Sequence, residues 1–295
     1  MGLKRRAAVA GSFYPRYKPD LLDIIESSFL DQTFGIGKPF KCENAEKRTI
    51  IGGVSPHAGY IYSGACASFT YTELFREKIP DTVIVLGTDH IGYGGVALMR
   101  EGAWETPLGD LQIDTELASK ILSRSKIIKE DNSAFMGFPF GREHNIEVQL
   151  PFIKYCAGDK EIELLPLKVS ESNLDVLKTI SQDIAESIKS LNKDIIVVAS
   201  SDMSHEEVNS KNELEAFKKN DQNLIDGFTN LNPERTINPY PRASICGRQT
   251  VTTLILIGKE LGVKEGKFLK YYTSSEKTGH IGGYCVGYFS GVLKL

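Results

Sequence analysis

Two runs, 82–87 (TVIVLG) and 194–200 (DIIVVAS), are apolar and rich in β-branched residues along almost their whole length. A strand without alternation offers no face to water, so both its faces must be covered. Shorter runs of the same character lie at 49–55 (TIIGGVS) and 162–169. Between the runs, apolar residues return at helical spacing. The pattern predicts helices over about 19–30, 63–78, 114–123, 173–191, 213–228 and 250–261. It also predicts a helix over 143–155 broken at Pro151. Residues 268–272 and 284–293 read as late strands, the second bent or at an edge because Gly287 and Gly291 lie inside it. Strands of this kind separated by helices imply an α/β fold, a three-layer α/β/α sandwich with a central, mainly parallel sheet. Residues 35–48 read as a loop. No repeat and no Gly-Pro-Ser linker divides the chain, so residues 1–295 are expected to form a single domain.

Composition removes several classes of function. The 295 residues are 41% hydrophobic and 25% charged, which excludes collagen-like, coiled-coil and wholly disordered chains. The net charge of −3 (35 basic against 38 acidic residues) argues against a nucleic-acid face. The five cysteines are widely spaced and include no CxxC pair, so neither a disulfide framework nor a zinc ribbon is expected, and a reducing cytoplasm is the expected location. The apolar run after the basic start covers only residues 7–10, too short for a signal peptide. No run approaches the roughly 20 residues of a membrane span.

In an open α/β sheet, ligands bind beyond the carboxyl ends of the strands. His57 follows the strand at 49–55, His90 follows 82–87, and His205 follows 194–200 with Asp202 three residues before it. Each alone reads as a loop or capping histidine. Together they favour a shared polar pocket, and imidazole is the commonest ligand for Zn, Fe and Cu. Asp202 reads as a ligand, as the partner of His205 in a general acid/base pair, or as a plain turn residue. Cys246 stands at the entry to a helix. The helix N-terminus and Arg248 are expected to lower its pKa and to favour a thiolate, a nucleophile or soft metal ligand. The alternative is a small buried hydrophobe, the reading that also suits Cys66, Cys156 and Cys285. His144 and Glu147 are spaced i, i+3, which on spacing alone is a surface helix face. His280 is assigned to a turn. Tyr60 and Tyr62 wall the pocket or pack.

Phosphate-loop, dinucleotide and nucleophile-elbow motifs are absent. The segments AGSFYP (10–15), SPHAGYIYSG (55–64), LGTDH (86–90), REHNIEVQLP (142–151), SSDMSH (200–205) and ICGRQ (245–249) resemble the Memo family in order and over nearly the whole length. That family is similar in fold to the class III (LigB-type) extradiol dioxygenases. The resemblance implies His57, His90 and Cys246 as metal ligands, and His144, Asp202 and His205 as polar residues lining the same pocket. It implies Fe(II) or Cu, with Zn also compatible, and partners of the AMMECR and radical-SAM types. Where the extradiol enzymes use a carboxylate ligand, Cys246 stands here. A thiolate favours Cu or Zn and is itself oxidisable, so ring cleavage does not carry over with the fold.

Three functions remain from the sequence. The first is a metal-dependent, redox-active protein using those residues. The second is an interaction protein whose cleft receives a peptide or small molecule. The third is a metal-free hydrolase dependent on Cys246, which leaves three strand-end histidines without a task.

Overall fold

A computed structural model of the chain describes residues 3–136, 143–239 and 244–295. Arg142, which opens the 142–151 segment, lies outside them. In chain order the elements begin with β1 (Lys4–Arg5), α1 (Lys18–Leu30), β2 (Ile50–Ser55), α2 (Tyr60–Arg76) and β3 (Thr82–Gly87). There follow β4 (Val96–Leu98), β5 (Ala103–Trp104), β6 (Leu111–Ile113), α3 (Thr115–Arg124), β7 (Lys129–Glu130) and α4 (Ser133–Met136). A 3₁₀ turn (Glu147–Gln149) leads into α5 (Leu150–Ala157), then β8 (Glu163–Val169), α6 (Leu174–Lys189), β9 (Ile195–Ser200) and β10 (His205–Glu207). The chain finishes with α7 (Lys211–Thr229), α8 (Pro233–Ile237), α9 (Arg248–Glu260), β11 (Glu265–Thr273), α10 (Ser274–Thr278) and β12 (Tyr284–Lys294).

The sheet runs β1-β5-β6-β8-β3-β9-β2-β12-β10, and its centre, β6-β8-β3-β9-β2, is parallel throughout. β3 and β9 are buried at every residue, as strands covered on both faces must be. One layer of helices holds α1, α2 and α5, and the other holds α3, α6, α8 and α9. The fold is thus the three-layer α/β/α sandwich with a mainly parallel sheet. Helix starts follow their caps: Asp114 accepts from the amide of Leu117, and Asn173 from those of Asp175 and Val176. Gly64 lets α2 lie against α1, since a β-carbon there would meet the Ser28 hydroxyl.

Three expectations change. Pro151 does not break a helix; it sits in the first turn of α5, where its missing N–H leaves no bond unmade. Residues 143–146 are not helical, so the expected helix face shared by His144 and Glu147 does not exist. Nor is β12 an edge strand. β11 pairs along one side of it, and β10 and then β2 pair along the other. Its glycines serve close approach: a β-carbon on Gly287 would meet the Asp221 carboxylate. Among the described residues, no helix is long and apolar enough to cross a membrane.

Candidate metal centre

β3, β9 and β2 are neighbours in the sheet, and their carboxyl ends carry His90, Asp202 with His205, and His57. Adjacent strands lie about 4.8 Å apart, so side chains just past their ends share one space. The 143–149 segment crosses above these ends and is bonded to each of the three. Asn145 Nδ2 donates to the carbonyl of Thr88, Gln149 Nε2 to that of Pro56, and Ser200 Oγ to that of Asn145. Gly87 makes the crossing possible, because a β-carbon there would meet Asn145 and Ile146. The crossing brings in His144. One ligand atom from each of His57, His90 and His144 lies within 4.8 Å of the others.

The surroundings decide which nitrogen of His57 is free. Ser200 Oγ donates its only proton to Asn145 O at 2.7 Å and accepts from Gln149 Nε2 at 2.8 Å. His57 Nδ1, 3.0 Å from the same oxygen, must therefore donate to it. Nε2 is left with its lone pair toward the pocket. Burial, then the neighbouring histidines, push the pKa of His57 well below the usual value, so the ring stays neutral.

His90 is held differently and to the same end. Its Nδ1 lies 3.2 Å from Glu143 Oε1, and its backbone amide donates to Oε2 at 2.9 Å. A carboxylate on Nδ1 fixes the proton there and leaves Nε2 bare, the usual support of a metal-binding imidazole. Burial alone would raise the Glu143 pKa. The His90 ring and amide and the ammonium of Lys168 outweigh it and hold it down to about 2. Lys168 is fully buried, with Nζ 3.3 Å from Glu143 and 3.2 Å from Asp89.

His144 stacks on His90 (centroids 4.9 Å apart, 18° between planes) and is covered by Phe13 at 4.4 Å. Burial, then the neighbouring His90 ring, lower its pKa to about 4. Phe13 is positioned from afar by Glu147. That buried carboxylate accepts from the amides of Ala8 and Val9 at 2.9 Å, from Tyr14 Oη at 2.8 Å and from Arg5 at 2.6 Å. Glu147 is thus the anchor of the N-terminal segment and not a partner of His144. Tyr60 packs, buried, with its hydroxyl on the carbonyl of Val148.

Cys246 enters from the turn before α9. Gly247 allows this, since a β-carbon there would strike Ser201 and the carbonyl of Ser200. Cys246 Sγ lies 3.3 Å from His57 Nε2. The expected low thiol pKa is overturned. Burial and then the Asp202 carboxylate push it far up, so without a cation beside it the group is a neutral thiol. Asp202 Oδ1 accepts from the His57 amide at 2.7 Å. Its Oδ2 stands 4.0 Å from His57 Nε2 and 3.9 Å from His205 Nε2. Burial raises its pKa to about 6. His205 begins β10 and is tied by its amide to Ser244 Oγ.

Glu143, Ser200, Gln149 and Lys168 are not among the residues singled out in the sequence. Their roles depend on contacts across tens of residues, and only a buried lysine in an apolar strand, PLKV, carried any local signal.

The chain matches the sequence model of the Memo-like protein family over residues 5–292. It is similar to a MEMO1 family protein of Desulfurococcus amylolyticus, at 39% identity covering 95% of this chain and 97% of that one. Similar relatives occur in Methanobrevibacter smithii (34%; 98% and 99%) and Nitrosopumilus maritimus (34%; 99% and 99%).

Proposed function

The chain belongs to the Memo-like protein family, and on that premise we propose that it is a metal-binding, redox-active protein with a centre like that of the non-haem dioxygenases. His57, His90 and Cys246 hold Fe(II) or Cu, and His144, Asp202 and His205 handle protons and substrate. The observation that carries this reading is the pair of enforced tautomers. Ser200 and Glu143 each take up an Nδ1 proton, so two Nε2 lone pairs face one space beside a thiol. Two imidazoles and a sulfur form a donor set suited to these metals.

When bound, the ion would supply Lewis acidity and a redox couple. Asp202, raised to about 6, holds or releases a proton near neutral pH. Half-buried His205, 3.9 Å away, carries that proton toward solvent. Phe13 over His144 keeps water from that side of the rings.

Metal analysis of untagged protein tests the reading. Wild type is expected to retain Fe or Cu, and His57→Ala/Cys246→Ala to lose it; equal content in both would overturn it. The triad geometry supports His144 as a competing third ligand. A thiolate-to-Cu(II) charge-transfer band that survives His144→Ala and disappears in Cys246→Ala selects the sulfur; no such band in wild type, with Cu content kept in Cys246→Ala and lost in His144→Ala, selects the third imidazole.

A further inference from the structure

Arg248 is half-buried, and its guanidinium has no hydrogen-bond or ion-pair partner among the described residues. Every other buried or half-buried arginine among them is paired: Arg5 with Glu147, Arg48 with Asp194, Arg76 with Glu73 and Arg235 with Asp226. None of its nitrogens is buried, so the guanidinium is open to an incoming anion, with which its hydrogen bonds are charge-assisted.

Arg248 lines a cavity of about 540 Å³ that Cys246, Thr88, Gln249, Ser170 and Glu206 also line. That is the size of a small-molecule site. One wall is braced, because Gln249 Nε2 donates to Thr88 Oγ1, which donates to the carbonyl of Cys246 at 2.8 Å. Asp89 also borders the cavity, but Lys168 and the amides of Ile91 and Gly94 meet its charge. Glu206 is exposed. Among the described residues, the cavity therefore presents one cation without a partner together with the Glu206 carboxylate, which repels a dianion more than a monoanion. A planar carboxylate also matches the guanidinium fork.

We propose that this cavity binds a small monocarboxylate, its carboxylate received by Arg248 and its body lying along Ser170 toward Cys246. In calling that ligand the substrate, the inference rests on the metal-centre reading; the binding itself does not require the ion.

Charge-selective alkylation tests it on the full, chelator-treated chain. Iodoacetate carries the carboxylate, and iodoacetamide is its neutral counterpart. In either reaction Cys246 Sγ attacks the methylene, the S–C bond forms as C–I breaks, iodide leaves and the thiol proton passes to solvent. Because both reagents meet the same thiol, the ratio of their rates cancels the thiolate fraction and reports carboxylate recognition alone. At Cys246 the iodoacetate-to-iodoacetamide ratio is expected to exceed that at Cys42 by about tenfold or more, the scale of one charge-assisted contact. Arg248→Gln should bring it down to the Cys42 level, and Arg248→Lys should restore part of it. Lactate, but not glycerol, should slow iodoacetate at Cys246. A ratio equal to that of Cys42 in wild type, or one unchanged in Arg248→Gln, overturns the proposal. So does inorganic phosphate protecting better than lactate. Metal content is read separately, so failure of the metal centre and failure of the anion site are told apart.

Discussion

A hydroxyl has a single proton to donate, and at Ser200 that proton is committed to the carbonyl of Asn145. The free nitrogen of His57 follows from this one bond. Ser200→Ala removes the acceptor for Nδ1, and Glu143→Gln removes the carboxylate that holds the proton on His90. Each is expected to weaken metal binding about 10- to 100-fold without touching a ligand, as measured by competition with a chelator of known affinity; unchanged affinity would separate these residues from the metal. Glu143→Ala has a second consequence. It leaves buried Lys168 with Asp89 alone, a loss expected to cost about 3–5 kcal/mol in denaturant unfolding.

Elements here are joined by buried carboxylates as well as by apolar packing. Glu147 ties the 5–14 segment to the turn before α5. Glu147→Ala should release that segment, destabilise the protein by about 3–5 kcal/mol and expose residues near Phe13 to protease; a resistant N-terminus would count against the anchor. Asp221 joins α7 to its neighbours, accepting from the Ser204 amide at 3.0 Å and from Tyr271 Oη at 2.7 Å. Burial pushes its pKa from 3.8 up to about 6. The folded state thus keeps this proton to higher pH than the unfolded chain does. The resulting stabilisation is full below about pH 4 and is lost as pH rises through about 6. Asp221→Asn does not titrate, so it should gain on wild type by about 2 kcal/mol between about pH 4 and pH 7. Chemical denaturation at several pH values checks the slope, and a flat difference would refute the assignment.

At the scale of the whole molecule, the sheet carries the site, and an ion held there would stabilise the fold in return. An ion that binds only the folded chain should raise unfolding free energy by about 2.7 kcal/mol at one hundred times its dissociation constant. Thermal melts should show that increase in wild type and not in His57→Ala/Cys246→Ala. Strand and helix positions were readable because burial imposes a period. Runs such as IIVVAS have no polar face, and Asp114 and Asn173 announce the helices they cap. The small strands β4 to β7 left no period to detect, being two or three residues long. The 143–155 segment misled because Pro151 is equally at home in a first helical turn. The low pKa expected of Cys246 failed because helix position is a local property and desolvation is not.

By itself the chain determined its layered architecture and the strand ends from which His57, His90 and His205 emerge, because hydrophobic period and strand termination are written in adjacent residues. Only the tertiary structure decided which strands stand side by side. It also decided that the 143–149 crossing delivers His144, and that Ser200, Glu143 and Lys168 set the protons on the rings. Hydrogen-bond partners and loss of solvent depend on groups far apart along the chain, and no local pattern encodes them.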